Sequence, residues 1–226
     1  MSRILVFGAH PDDEVIGMGG TIAKLVREGH EVRVVIFTRG DEGYPKVELK
    51  EDISEVRREE SKNAAKVLGV KSHDMFDIED MGLTNDKETF KRVIKTIREY
   101  QPEIIFTHRF QDRHRDHAAA NRLVSEAWWQ AGQSASIELG EPWRAKKLYY
   151  FEIFSPFTFP SHIVDTTDTF EFKKKAMEKF ASQLSVLSNV LRAIEGLAIF
   201  RGSLIGTRYG EAFLESRIVP EKGLEL

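Results

Sequence analysis

From Phe7 to Gly20 the chain reads FGAHPDDEVIGMGG, which sets His10, Asp12, Asp13 and Glu14 directly behind an apolar run. A second polar cluster, His108, Asp112, His114, Asp116 and His117, follows the apolar run from Ile104 to Phe106. Imidazole and carboxylate are the donors that build an open zinc site, with three protein ligands and one position left for water. The chain has no cysteine, so thiolate ligation and disulfides are excluded. Asp12 and Asp13 are adjacent and therefore point in different directions, which lets one bind metal while the other handles protons. His114 and His117 can share one site, or divide between metal and substrate. A competing explanation exists for each cluster alone: the acidic turn after the first strand is an ordinary helix N-cap favoured by the helix dipole, and His114–His117 is an ordinary solvated loop. Glu14 suits that dipole role, or the support of a metal ligand.

The elements that must position these groups alternate between strand and helix. Ile4–Ala9 reads as a buried strand, Gly20–His30 as a helix, and Glu31–Thr38 as a strand rich in β-branched residues. This βαβ unit favours a parallel sheet with a right-handed crossover. A helix over Asp52–Leu68 stops at Gly69, Asp74–Ile78 reads as a short strand, and Asp86–Pro102 is a helix ended by its proline. Glu103–His108 is the next strand, followed by a helix over Ala118–Ala131. Beyond Lys146 the pattern predicts strands at Lys147–Phe154 and His162–Thr167, one long helix over Phe170–Leu187, and a last strand over Glu211–Val219. The fold class is α/β: a single Rossmann-like three-layer domain with a mostly parallel sheet. Residues 1–145 form its core, and 146–226 complete the sheet or add a small lobe. Ligands of such sheets sit outside the carboxyl ends of the strands, which is where both polar clusters fall. If the strands ending at Ala9 and His108 are neighbours, both loops open onto one crevice.

Composition narrows the possibilities. With 33 basic against 36 acidic side chains the net charge is −3 and no basic stripe is visible, so nucleic acid is not an expected partner. No apolar run is long enough for a membrane span or a signal h-region, so the expected compartment is the cytoplasm. Gly17, Gly19 and Gly20 invite a dinucleotide-binding reading. The G-x-G-x-x-G spacing is absent, however, and an acidic loop would repel a pyrophosphate. Arg39, Asp41 and Glu42 follow the second strand, either lining the pocket or forming a charged loop. Trp128 and Trp129 cannot both face one core, which leaves one available for a subunit contact. The loop FSPFTFP, Phe154–Pro160, suits a lid, a sugar-stacking wall or an oligomer contact.

At these residues the chain resembles the LmbE-like (PIG-L-like) de-N-acetylases. The hallmark is Ala9-His10-Pro11-Asp12-Asp13-Glu14, and the H-x-D-H motif stands as His114-Arg115-Asp116-His117. Similarity continues through TRGDEG, VRREESKNAAKVLGV, VDTTDTFEFKKKAMEKFASQ and RGSLIGTRYGEAF. The resemblance implies that His10, Asp13 and His117 bind zinc, with iron(II) able to occupy the same ligands. It implies Asp12 as general base, His114 as oxyanion stabiliser and possible acid for the leaving amine, and Asp116 as the group orienting an imidazole. Arg57 falls where the family has a substrate-binding arginine, although Arg58 stands beside it. His162 and Asp165 lie in the part where family members contribute substrate-facing groups. The implied activity is removal of acetyl from an N-acetylglucosamine-type sugar, a small-molecule substrate, by a homo-oligomer of unspecified number. Absence of a membrane span argues against the glycolipid-anchor branch. The alternative class is a non-catalytic sugar- or nucleotide-binding protein on the same scaffold.

Overall fold

The computed structural model describes residues 1–218, so Val219 of the expected last strand lies outside the described residues. Seven strands form one sheet: β1 (Arg3–Gly8), β2 (Glu31–Thr38), β3 (Ser72–Ile78), β4 (Ile104–His108), β5 (Lys147–Phe151), β6 (His162–Asp165) and β7 (Gly210–Glu215). Their order across the sheet is β3-β2-β1-β4-β5-β7-β6. The pairs β2–β3, β1–β2, β1–β4 and β4–β5 are parallel, while β7 runs antiparallel between β5 and β6. The C-terminal strands thus extend the sheet of the first two thirds. Strand order reverses between β1 and β4, whose register pairs Ile4 with Ile104 and Val6 with Phe106.

A central parallel strand is covered on both faces, which explains the unbroken apolar run of β1. Ile4 and Val6 join the core on one face with Val34 and Ile36, while Leu5 and Phe7 join the opposite core with Val35 and Phe37. Helices α1 (Asp13–Arg27), α2 (Ile53–Leu68), α5 (Phe170–Met177), α6 (Ala181–Val186) and α7 (Val190–Ser203) contribute to the first core. Helices α3 (Lys87–Tyr100) and α4 (Arg115–Ala131) contribute to the second. Trp128 is buried there and donates its indole N–H to the Ala145 carbonyl, whereas Trp129 is exposed. Among the described residues no helix is long and apolar enough to cross a membrane.

Several boundaries differ from the pattern-based reading. α1 starts at Asp13 rather than Gly20, so the acidic motif is itself the first turn of the helix. The helix is interrupted at Met18 (φ −151°, ψ 23°). The carboxylate of Glu211 on β7 accepts the Gly20 and Thr21 N–H groups at 3.0 and 2.6 Å, capping the second segment from outside. Lys173 neutralises that buried carboxylate at 2.6 Å. The glycines of this stretch serve packing: a Cβ on Gly17 would stand 2.5 Å from the Phe151 ring. α4 starts at Arg115, three residues early, because His114 Nδ1 accepts the Asp116 N–H as its cap. The single helix expected over Phe170–Leu187 is two, since Phe180 leaves helical geometry (φ −87°, ψ 61°) to bury its ring completely. α7 was not expected. β5 stops at Phe151, where Glu152 turns its carboxylate to the Arg201 guanidinium at 2.7 Å and to the Phe157 N–H at 2.5 Å.

Candidate metal centre

The neighbouring carboxyl ends of β1 and β4 bring the two polar clusters together. Asp12 stands between β1 and α1 at φ 118°, a left-handed backbone that is costly for a residue with a Cβ and is tolerated where a site requires it. That turn lets the His10 N–H donate to Asp13 Oδ2 at 2.7 Å and folds the Asp13 carboxylate back beneath the histidine.

Three donor groups then converge. His10 Nδ1 is 3.3 Å from His117 Nε2 and 3.3 Å from Asp13 Oδ2, and His117 Nε2 is 3.3 Å from Asp13 Oδ1. Asp13 turns Oδ2 toward His10 and Oδ1 toward His117, and each pairwise separation is close to the roughly 3.3–3.6 Å between ligand atoms that zinc bonds of about 2.0–2.2 Å set in a tetrahedron. Overlapping groups of potential ligands, His10–His114–His117 and Asp13–His108–His117 among them, share the same space. The far nitrogens also face carboxylates. His10 Nε2 lies 2.9 Å from Asp80 and 3.2 Å from Asp116, and His117 Nδ1 lies 3.1 Å from Asp112. Carboxylates behind ligating histidines fix ring orientation and raise basicity.

Charge follows from this geometry. Burial pulls His117 down, but Asp13 and Asp112 outweigh it and hold the imidazole up at about 9. His10 is likewise held well above its ordinary value: burial opposes this, and Asp116, Asp13 and Asp80 prevail. Burial opposes ionisation of Asp13, yet His117, His108 and His10 keep it well below the usual carboxylate range. Asp12 is raised to about 7 by burial, with Arg57 pulling down and Asp13 pushing up. His114 is lowered, by burial first and then by the charges on His10 and His117. Glu14 is pushed to about 8 by burial, and neither carboxyl oxygen finds a hydrogen-bond partner.

The other expected residues fall in different places. Arg57 is buried and donates to the Pro11 carbonyl at 2.5 Å, the Gly40 carbonyl at 3.0 Å and Asp12 Oδ2 at 3.1 Å. Arg58 points away to Asp77, which distinguishes the two arginines. Asp116 orients His10 rather than His114, and it accepts the Met81 N–H at 2.7 Å. Arg39 sits outside the crevice lining, paired with Asp41 and Glu79. His162 is not brought to the site: it opens β6 at the outer edge of the sheet, edge-on to Tyr149 and half-exposed, with β5 and β7 between it and β4. Asp165 ends the same strand and caps a local turn at the Thr167 N–H. His108 lies beneath His117 with ring centroids 4.1 Å apart, and its Nε2 accepts the Ala9 N–H at 2.9 Å. Burial and the His117 charge lower it to about 4, so it stays neutral. Asp80 was missed; it follows β3 in a loop with no recognisable spacing.

The crevice above the His10, Asp13 and His117 donors has a volume of about 360 Å³. Glu42, Arg57 and Asp80 line its polar side, and Ile16, Phe154 and Leu187 its apolar side. The Phe154 ring lies parallel to His117 at 5.6 Å.

Fold and site together define an α/β protein with a candidate His/Asp metal centre at the switch point of its sheet. The chain belongs to the PIG-L (GlcNAc-PI de-N-acetylase) family, whose model matches residues 5–128. It is 30% identical to the diacetylchitobiose deacetylase of Thermococcus kodakarensis, an alignment covering 97% of this chain and 84% of that protein. The N,N'-diacetylchitobiose deacetylase of Pyrococcus horikoshii superposes with a TM-score of 0.88 at 30% identity, covering 97% of this chain and 87% of that one. A 4-oxalmesaconate hydratase of Pseudomonas putida is 33% identical over 79% of this chain and 73% of its own length.

Proposed function

We propose that the protein is a zinc-dependent hydrolase that removes the N-acetyl group from an N-acetylglucosamine-type sugar or glycoside. One observation carries this reading: a buried carboxylate, Asp12, paired with Arg57, stands beside the convergent donors of His10, Asp13 and His117. His10, Asp13 and His117 would hold a zinc ion, which would supply Lewis acidity and lower the pKa of water from 15.7 to about 7.

The rest is done by the protein. Asp12 takes the proton of the attacking water, and a base of pKa near 7 is well matched to neutral pH. Arg57 fixes the carboxylate and limits how far burial raises it. His114 accepts the Asp116 N–H at Nδ1, so its proton resides on Nε2, and its lowered pKa keeps the ring neutral. It therefore acts as a hydrogen-bond donor to the oxyanion, a contribution of about 2.7–4 kcal/mol to the barrier in comparable sites. As the C–N bond breaks, the amine recovers the proton held by Asp12, and acetate and free amino sugar leave.

The hydratase relative favours a second reading, addition of water to an unsaturated acid. The crevice lining argues against it. Among the described residues the one guanidinium there, Arg57, is committed to Asp12, while Glu42 and Asp80 would repel an anionic substrate. Acetate release from a panel of N-acetyl sugars, with and without zinc, tests the proposal. Hydrolysis that survives both chelation and Asp12→Ala would overturn it, and chelator-insensitive ligand binding without turnover would favour a binding protein.

A further inference from the structure

Next to the crevice is a second cavity of about 470 Å³. Val190, Ile194 and Leu197 fall on one face of α7 and form its floor, at the i, i+4, i+7 spacing of a helical stripe. Ile153 and Pro156 close one side, and Ser188 supplies the one hydroxyl among the described lining residues. Ile16, Phe154, Val186 and Leu187 border both cavities, so the two meet along a shared apolar sill. That sill touches the site itself. Ile16 is one helical turn beyond Asp12 and Asp13, and Phe154 lies against His117.

An amide carbonyl has two substituents, and the crevice offers two kinds of wall. The amino-sugar side is the polar wall, where Glu42 is, among the described lining residues, the one charged side chain paired with neither a metal-site residue nor Asp12. The acyl side must then leave between Ile16 and Phe154, toward the apolar chamber.

Resting on the hydrolase reading above, we propose that the preferred substrates are amino sugars N-acylated with a linear chain longer than acetyl. The reaction is amide hydrolysis: water adds its oxygen to the acyl carbon, the C–N bond breaks, and the amine leaves with the water's proton. The products are a fatty carboxylate and the free amino sugar. The α7 stripe from Val190 to Leu197 spans about 10 Å at 1.5 Å per residue, the length of an extended chain of about eight carbons.

The experiment compares N-acetyl-, N-butanoyl-, N-hexanoyl- and N-octanoylglucosamine with the zinc-loaded protein, reading kcat/KM from amine release. While the chain stays covered, each added methylene is expected to raise kcat/KM by about fourfold. Ala193→Trp, an exposed position on the chamber wall, is expected to lower the hexanoyl-to-acetyl ratio at least tenfold. The proposal is overturned by a rate that falls with chain length, or by a ratio that Ala193→Trp leaves unchanged. It is equally overturned if the hexyl glycoside of N-acetylglucosamine gains while N-hexanoylglucosamine does not. If no N-acyl sugar is hydrolysed the hydrolase reading fails separately, and titration calorimetry decides the chamber's role. Tighter binding of the N-hexanoyl than the N-acetyl sugar, lost in Ala193→Trp, supports it; equal binding removes it.

Discussion

The Arg57 guanidinium and the Asp12 carboxylate meet at 3.1 Å, with their side chains only 4% and 6% exposed. Burial raises Asp12 and Arg57 restrains that rise, so the arginine sets the pH at which the carboxylate can accept a proton. Removing Arg57 must raise Asp12 further and leave it protonated to a higher pH. The acid limb of the kcat/KM profile should therefore move to higher pH in Arg57→Met and return part of the way in Arg57→Lys. Losing one partner of a buried pair costs about 3–5 kcal/mol, so thermal unfolding of both variants belongs beside the profile. An unmoved limb with a raised KM would instead make Arg57 a substrate-binding group, as the family resemblance implied.

Asp80 holds the far nitrogen of His10 at 2.9 Å from a loop beyond β3. Mutating such a carboxylate typically costs about 10–100-fold in metal affinity. Asp80→Asn should weaken zinc binding by that factor in a chelator competition. Unchanged affinity would mean that Asp116 alone orients the ring.

Zinc binding should release protons. His117 is held at about 9 and is an imidazolium at neutral pH without metal, and His10 is shifted in the same direction by Asp116, Asp13 and Asp80 against its burial. Ligation through His117 Nε2 displaces at least the His117 proton, and affinity should rise from pH 7 toward pH 9. Calorimetry in buffers of different ionisation enthalpy counts the protons released. A binding heat independent of buffer would contradict the protonation assigned to His117.

Asp86 caps α3, accepting the Glu88 and Thr89 N–H groups at 2.9 Å each. Those hydrogen bonds, to Thr89 first, lower its carboxyl from 3.8 to about 2. The folded value lies below the unfolded one, so the stabilisation is complete above pH 3.8 and is lost as pH falls through about 2. Asp86→Ala should cost about 1 kcal/mol at pH 7. Urea unfolding should show wild type and variant converging toward pH 2; a constant gap would place the effect elsewhere.

How much was readable in advance depended on how local each signal was. The apolar runs of β1, β2 and β4 locate their own strands, and the polar clusters lie directly at two of their ends. The closeness of those ends is a matter of strand order, which the pairing of Ile4 with Ile104 settles. Arg57 and Arg58 are alike as neighbours in sequence; the helix face decides, burying one and pairing the other with Asp77. Asp80 reaches His10 across 70 positions without motif or periodicity. α7 escaped notice because its apolar residues spread over two faces, Ile194 and Ala198 inward and Ile199 and Phe200 outward. The break at Phe180 involves neither Pro nor Gly and comes from tertiary burial of its ring.

The cap that Glu211 places on the interrupted helix α1 also bears on the order in which this side of the fold is completed during translation. The first turn of α1 carries Asp13, while its continuation at Gly20 depends on a carboxylate 191 positions later. A ribosome delivers the histidines and aspartates of the cluster well before it delivers that glutamate. In a nascent chain the first turn of α1 therefore emerges long before the carboxylate that caps its continuation, and α1 reaches its final form only once β7 is in place.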